Sequence, residues 1–307
     1  MNAKDLRIIF LGTPDFAVAS LKALIEAGFN VVAVVTAPDK PAGRGMKMQQ
    51  SAVKQFALQH NLKVLQPERL REEAFLEQLQ SLNADLQLVV AFRMLPKAVW
   101  NMPPLGTINL HGSLLPDYRG AAPINWAIIN GEKETGVTTF QLKQQIDTGN
   151  ILLQEKIPIL PNDNMGTLHD TMKITGANLL VKTVQRIADN SLKAVEQPKE
   201  ESKPAPKIFK ENCLINFEKT IQEVNNLIRG LSPFPAAYTY LDGKILKIFS
   251  AETEMMETSE TPGTYTTDKK SFLKFACANG YIHALEVQLE GKRKMQIADF
   301  LRGHRFD

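Results

Sequence analysis

Three polar side chains in two places could act together: Asn109 and His111 in "TINLHGSLLPDYRG" (107–120), and Asp147 in "QQIDTGN". An amide, an imidazole and a carboxylate suit acyl transfer without a covalent intermediate. The amide and a protonated imidazole can donate to a developing oxyanion, while the carboxylate favours that imidazolium and accepts or relays protons, through water if need be. Side chains alternate across a strand, so Ile108 and Leu110 point to one face while Thr107, Asn109 and His111 point to the other. A sheet edge in water gives the same alternation, so this face is either wet or at work. Asp-Thr-Gly is also ordinary turn chemistry. It opens the aspartic-protease signature too, but that chemistry needs two carboxylates sharing a proton and the chain holds one such triplet. No nucleophile is marked, because "HGSLLP" around Ser113 is not G-x-S-x-G.

The elements that must bring these residues together read as an α/β pattern over the first 190 residues. "LRIIFLG" and "VVAVVT" are buried-strand runs around a helix in which Thr13 can cap, Pro14 suits the first turn, and Val18, Leu21 and Ile25 form a stripe ending near Gly28. The alternation continues through "AVKQFALQH" (helix), "KVLQP" (strand), "EAFLEQLQSL" (helix) and "DLQLVVAF" (strand). It predicts a mostly parallel sheet covered on both faces. "VTTFQL" and "NILLQEKIPI" add two strands before a helix from about Met165 to Asp189. Ligands of open α/β sheets collect beyond the carboxyl ends of strands, and "LHGSLLP" is such an end. The first turn reads "GTPDFA" and no G-x-x-x-x-G-K-[ST] occurs, so dinucleotide and P-loop readings find no support.

Residues 190–206 are polar, charged and broken by prolines, which reads as a linker between a domain of residues 1–189 and one of residues 207–307. The second begins with a helical run, "FEKTIQEVNNLIRGL". Short strand-like segments follow ("AAYTYL", "KILKIFSA", "GTYTT", "FLKFACA", "YIHALEVQ"), predicting a small β-barrel of the kind that binds nucleic acids. With 307 residues, 44% of them hydrophobic, no run of eighteen apolar residues and no signal-peptide pattern, a soluble, cytoplasmic two-domain protein is expected. Two cysteines and five scattered histidines predict neither a disulfide framework nor a metal site. The net charge of +3 points to no partner, but residues 291–307 are locally basic.

Together, "FLGTPDFA", "TAPDKPAGRG", "INLHGSLLPDYRGAAPINWAI", "ETGVTTFQL…IDTGNIL", "GLSPFPAAYT" and "ADFLRG" resemble the methionyl-tRNA formyltransferase family over nearly the whole chain. The resemblance implies a Rossmann-like formyl-transfer domain and a C-terminal OB-like β-barrel, 10-formyltetrahydrofolate as donor, the amino group of methionyl initiator tRNA as acceptor, and Asn109, His111 and Asp147 as the catalytic trio. It implies folate contacts from Ser113, Leu114, Leu115 and Pro116 and from Phe92, Arg93, Met94 and Leu95. That last segment departs from the tyrosine-glycine form of many bacterial members. Phe92 and Arg93 are more similar to the folate strand of glycinamide ribonucleotide formyltransferases, so the contacts expected there are backbone ones.

The resemblance also places the loop Ala37–Ser51 in the tRNA acceptor end. Gly43 and Gly45 give this loop freedom, and Lys40, Arg44 and Lys47 give it charge for phosphates and unpaired bases. Lys207, Lys292 and Arg293 would form a second basic element. No metal and no membrane contact is implied, and a monomer is expected. Three alternatives stay open: the same chemistry on a small amine such as an amino-sugar nucleotide, hydrolysis of formylfolate, and a non-catalytic RNA-binding module. The first lacks a use for the loop, the second puts water in the acceptor position, and the third leaves the trio idle.

Overall fold

The computed structural model describes residues 2–42, 47–198 and 203–306. In chain order the first elements are β1 (Arg7–Gly12), α1 (Asp15–Glu26), β2 (Asn30–Val35), β3 (Lys40–Ala42), β4 (Lys47–Gln49), α2 (Ala52–Gln59), β5 (Val64–Leu65), α3 (Glu73–Gln80), β6 (Leu86–Val90), α4 (Lys97–Trp100) and β7 (Thr107–His111). They continue with β8 (Arg119–Gly120), α5 (Pro123–Ile129), β9 (Glu134–Gln141), β10 (Ile151–Pro158), α6 (Met165–Ala188) and β11 (Pro204–Ala205). Last come α7 (Ile221–Leu231), β12 (Ala237–Leu241), β13 (Lys244–Met255), β14 (Tyr265–Thr267), β15 (Leu273–Cys277), β16 (Gly280–Leu289), β17 (Met295–Gln296) and α8 (Ile297–Gly303).

Two compact units divide the chain: Met1–Arg119, Thr135–Ile157 and His169–Pro204 form one, and Gly120–Glu134, Pro158–Leu168 and Ala205–Asp307 the other. Residues 120–134 and 158–168 therefore belong with the second unit. The described part of the expected linker belongs with the first as far as Pro204, because Val195 exchanges two backbone hydrogen bonds of 2.8 Å with Ile151 and Gln197 is buried.

The first unit carries a seven-stranded sheet in the order β10-β9-β7-β6-β1-β2-β5. The central strands pair in parallel, and β9 joins β7 antiparallel. All five residues of β6 and the last five of β1 are buried, as expected for strands covered on both faces. The α1 turn differs from expectation. Pro14 is the N-cap, no side chain caps the helix, and the buried face is Phe16, Ala17, Ser20, Leu21 and Leu24, with Val18 and Ile25 only half-buried. Three apolar residues define a stripe only loosely, and Phe16 rotated it. Helix α6 lies against β7: a Cβ on Gly176 would come 2.9 Å from Leu110 Cδ2, so any larger residue there would push the Leu110 side chain aside.

The second unit holds an antiparallel sheet, β12-β13-β16-β15-β14 with β17 on β16. Strand β13 shifts register between Ile248 and Ser250 and again before Ala251, which lets one twelve-residue strand curl while it serves both β12 and β16. Helix α7 starts at Ile221, four residues after Phe217, because Thr220 and Glu223 form a capping box there; Ile221, Val224, Ile228 and Leu231 enter the core beside stacked Phe217 and Phe275.

That core also buries Cys213 and Cys277, and burial pushes the Cys277 thiol up to about 12. The folded state holds this proton more tightly than the unfolded chain, so the group's contribution to stability is whole below about pH 9 and declines as pH rises toward 12. Iodoacetamide at pH 8 should leave both thiols of the native protein unmodified and alkylate both after denaturation, as read by mass spectrometry; labelling of the native protein would show the core to be open.

Candidate active site

Strand β7 lies inside the sheet, between β6 and β9, so its polar residues do not mark a wet edge. Thr107 is structural: buried, its hydroxyl contacts Gln87 Oε1 (3.1 Å) and the Trp100 carbonyl (2.7 Å). Asn109, level with Val89 on one side and Phe140 on the other, is half-buried, and no described residue is recorded hydrogen-bonding its amide. His111 ends the strand, 7% exposed, opposite Thr138.

The imidazole is held at one nitrogen. His111 Nε2 lies 2.8 Å from the Tyr118 carbonyl, and a carbonyl only accepts, so Nε2 carries a proton and Nδ1 is left for chemistry. Nδ1 faces Asp147 Oδ2 at 3.9 Å, within ion-pair range but beyond a direct hydrogen bond. Asp147 stands in the β9–β10 connection at φ 53°, and the turn is closed beneath it. Gly149 packs so tightly that a Cβ would fall 1.5 Å from the Gln141 carbonyl oxygen, and Gln141 N–H donates to the Asn150 carbonyl at 3.0 Å.

The segment after β7 is fixed by Thr138. Its hydroxyl donates to the Ser113 carbonyl (2.6 Å) and accepts from Leu115 N–H (3.1 Å) and Gln154 Nε2 (2.9 Å). Gln154 also donates to the Leu115 carbonyl at 2.9 Å, and the Leu115–Pro116 peptide is cis. Ser113 is fully buried with its hydroxyl donated to the Asp117 carbonyl at 2.6 Å, so it is no nucleophile. Leu114 and Pro116 are half-buried.

After β6 the backbone turns through Ala91 at φ 48°, a left-handed conformation that an alanine adopts only under constraint. Arg93 donates to the Glu68 carbonyl (2.8 Å) and to the Pro67 carbonyl, with its guanidinium 5.7 Å from the Phe92 ring centre. Met94 is 74% exposed, whereas the Leu95 side chain is buried in the core. Ala91, Phe92 and Arg93 line a cleft of about 690 Å³ with Thr13, Asp39 and Lys40. This is where the chain reverses its direction of winding, with Gly12 of β1 paired to Val90 of β6. Lys54 (2.6 Å) and Gln66 (2.8 Å) hydrogen-bond the Asp39 carboxylate and hold it below the usual carboxylate range. The trio sits one strand further along.

The expected RNA loop is a hairpin: β3 and β4 pair antiparallel, with Lys40 opposite Gln49 and Ala42 opposite Lys47. Arg44 lies outside the described residues. In the second unit Lys207 is exposed, 5.5 Å from the centre of the exposed Phe209 ring. Lys292 and Arg293 are exposed before β17 with no ion pair recorded among the described residues, while Lys294 pairs with Glu286 at 3.0 Å and Arg302 with Asp299. Among the described residues no group of three or more His, Cys, Asp or Glu could hold a metal ion, and no helix is long and apolar enough to cross a membrane.

Sequence reading missed Thr138, Gln154, Tyr118 and Gln197. Thr138 and Gln154 each carried a signal, as a polar residue within a strand run.

The family model described as formyl transferase matches residues 6–184, and the one described as formyl transferase, C-terminal domain, matches residues 207–305. The chain is 50% identical to a methionyl-tRNA formyltransferase of Bacteroides thetaiotaomicron, covering 99% of this chain and 98% of that protein. It is 52% identical to one of Parabacteroides distasonis, covering 99% and 97%. In fold it is similar to an N-formyltransferase of Helicobacter canadensis solved with folinic acid and dTDP-3-aminofucose, with a TM-score of 0.70 at 24% identity over 91% of this chain and 98% of that one. With both models matched in order and half the residues shared along the full length of these relatives, the chain belongs to the formyl transferase family, among the methionyl-tRNA formyltransferases.

Proposed function

We propose that this chain transfers the formyl group of 10-formyltetrahydrofolate to the free amino group of methionyl initiator tRNA, acting as a cytoplasmic monomer. The observation that carries the chemistry is the trio itself: Asn109 and His111 share one face of an interior strand, Asp147 stands 3.9 Å from His111 Nδ1, and the neighbouring serine is tied to a carbonyl. The acceptor follows the name its half-identical relatives bear.

The amine nitrogen bonds to the formyl carbon, whose carbonyl oxygen becomes an oxyanion. The Asn109 amide and a proton on His111 Nδ1 donate to that oxygen; His111 does so from the one nitrogen Tyr118 leaves it. The nitrogen that has attacked must lose a proton, and the donor nitrogen must gain one as its bond to carbon breaks. Asp147 serves this exchange as acceptor and relay, through water. The donor is assigned to the segments Phe92–Leu95 and Ser113–Pro116, with backbone groups making the contacts. This suits Phe92 and Arg93, which line the cleft of about 690 Å³, and Ser113 and Leu95, whose side chains are buried and leave their backbone for contact.

Asn109→Ala, His111→Ala and Asp147→Asn should each lose at least about a hundredfold in turnover while remaining folded, since removing one oxyanion donor costs ~10²–10³. Single-turnover formylation with circular dichroism as the folding control checks this, and a folded His111→Ala protein of near-normal turnover would remove the imidazole from the mechanism.

For the acceptor, Lys40, Arg44 and Lys47 of the segment Ala37–Ser51 and Lys207, Lys292 and Arg293 of the second unit are assigned to tRNA. Arg44→Ala should weaken tRNA use by about 1–3 kcal/mol and leave donor binding unchanged. If Arg44 meets a phosphate, the slope of log affinity against log salt should flatten by roughly one unit; if it reads a base, the slope should hold and the preference for initiator tRNA should relax. An Arg44→Ala enzyme unchanged in kinetics and salt dependence on initiator and mischarged elongator tRNAs would refute the role assigned to this loop.

A further inference from the structure

Gln197 lies in the stretch whose composition reads as a linker, yet it is only 6% exposed and every hydrogen-bonding position of its amide is used. Its nitrogen donates to the Asp147 carbonyl (2.9 Å) and to the Gly149 carbonyl (2.7 Å), bridging the ends of the Asp-Thr-Gly turn. Its oxygen accepts from Arg119 Nε (3.0 Å) and Nη2 (2.6 Å), one residue beyond the Tyr118 carbonyl that holds His111. Six residues on, the Lys203 carbonyl accepts from Tyr118 N–H at 2.6 Å, and Lys203 N–H donates to Asp117 Oδ1 at 3.2 Å. One short stretch thus grips the backbone beneath the carboxylate and the backbone beneath the imidazole.

We propose that Gln197 is a positioning residue for the reaction: through the Asp147 and Gly149 carbonyls it holds Asp147 at its distance from His111 Nδ1. Asp147 is in the left-handed region, so its turn needs outside support, and the buried Gln197 amide supplies it by donating to a carbonyl at each end. Arg119 is the counter-anchor that fixes which way the amide faces. Gln197 touches no reacting atom, and its effect passes entirely through Asp147. The inference rests on the reading of Asp147 as a proton acceptor.

The test is a double-mutant cycle in the full-length protein with Gln197→Glu and Asp147→Asn. Gln197→Glu keeps an acceptor for Arg119 and removes both donors, so the stretch stays anchored while the turn is released. A displacement of about 1 Å at a catalytic group costs up to ~10²-fold, and Gln197→Glu should lower kcat by about 10- to 100-fold with KM for donor and tRNA near their wild-type values. In the Asp147→Asn background the same change should cost less than about threefold, because the group it positions is already gone. Losses that multiply across the cycle, or an undiminished kcat in Gln197→Glu, would overturn the role. Should that variant not fold, Gln197→Asn, with the same amide on a shorter side chain, enters the same cycle under the same criteria. Asp147→Asn with near-normal turnover would sink the reading of Asp147 itself, whereas an impaired Asp147→Asn with multiplying losses sinks only the role of Gln197.

Discussion

The carbonyl oxygen of Tyr118 decides what His111 can do. By accepting from Nε2 at 2.8 Å it fixes the proton on that nitrogen, fixes the ring plane, and leaves Nδ1 as the reactive edge beside Asp147. An imidazole N–H buried without such an acceptor would cost about 1–3 kcal/mol and turn the ring toward another partner. The carbonyl points correctly because Tyr118 adopts a left-handed conformation (φ 60°), which its neighbours enforce: Ser113 donates to the Asp117 carbonyl, and Lys203 accepts from Tyr118 N–H. The path of the chain from the end of β7 to β8 is therefore the support of one hydrogen bond.

Around that support, the sheet carries polar groups at places where apolar ones would pack more simply. Thr107, Thr138 and Thr139 are all buried on β7 and β9, and Thr139 meets Thr183 of α6 at 2.9 Å. Thr138 holds the loop after His111, and Thr107 holds the start of the strand. Among the described residues, three buried side-chain atoms lack a partner: Gln87 Nε2, on the residue whose Oε1 meets Thr107, and Ser20 Oγ and Thr135 Oγ1. The bonded hydroxyls of Thr107, Thr138 and Thr139 give this strand end one arrangement, and with it the placing of Asn109 and His111.

Much of this was legible in order of locality. Buried-strand runs identified β1, β2 and β6, and the alternation in "TINLH" correctly set Asn109 and His111 on one face, because both signals rest on neighbouring residues. Asp147 was found by its turn chemistry, but its meeting with His111 needed the antiparallel entry of β9, which no local pattern specifies. Gln197 escaped altogether. Prolines and charges around it describe a solvated chain well, and a single glutamine whose partners lie 48 to 78 residues away leaves no period to read. The same holds for residues 120–134 and 158–168, whose membership of the second unit is a fact of contact.

The wide spacing of Gln197 from its partners sets an order of assembly. The chain leaves the ribosome N-terminus first, so Asn109, His111 and Asp147 are all made, and their sheet can pair, while Gln197 and Lys203 are still untranslated. Contacts that close loops of this length form late in a folding reaction because the chain entropy they remove must first be offset by the rest of the sheet. A nascent chain therefore holds the whole Asp147 turn before it holds the side chain that clamps it. Gln197 and Lys203 both lie in the last fifteen or so residues of the first unit, so a chain paused before that point lacks every bond they make to the backbone at Asp147, Gly149 and Tyr118.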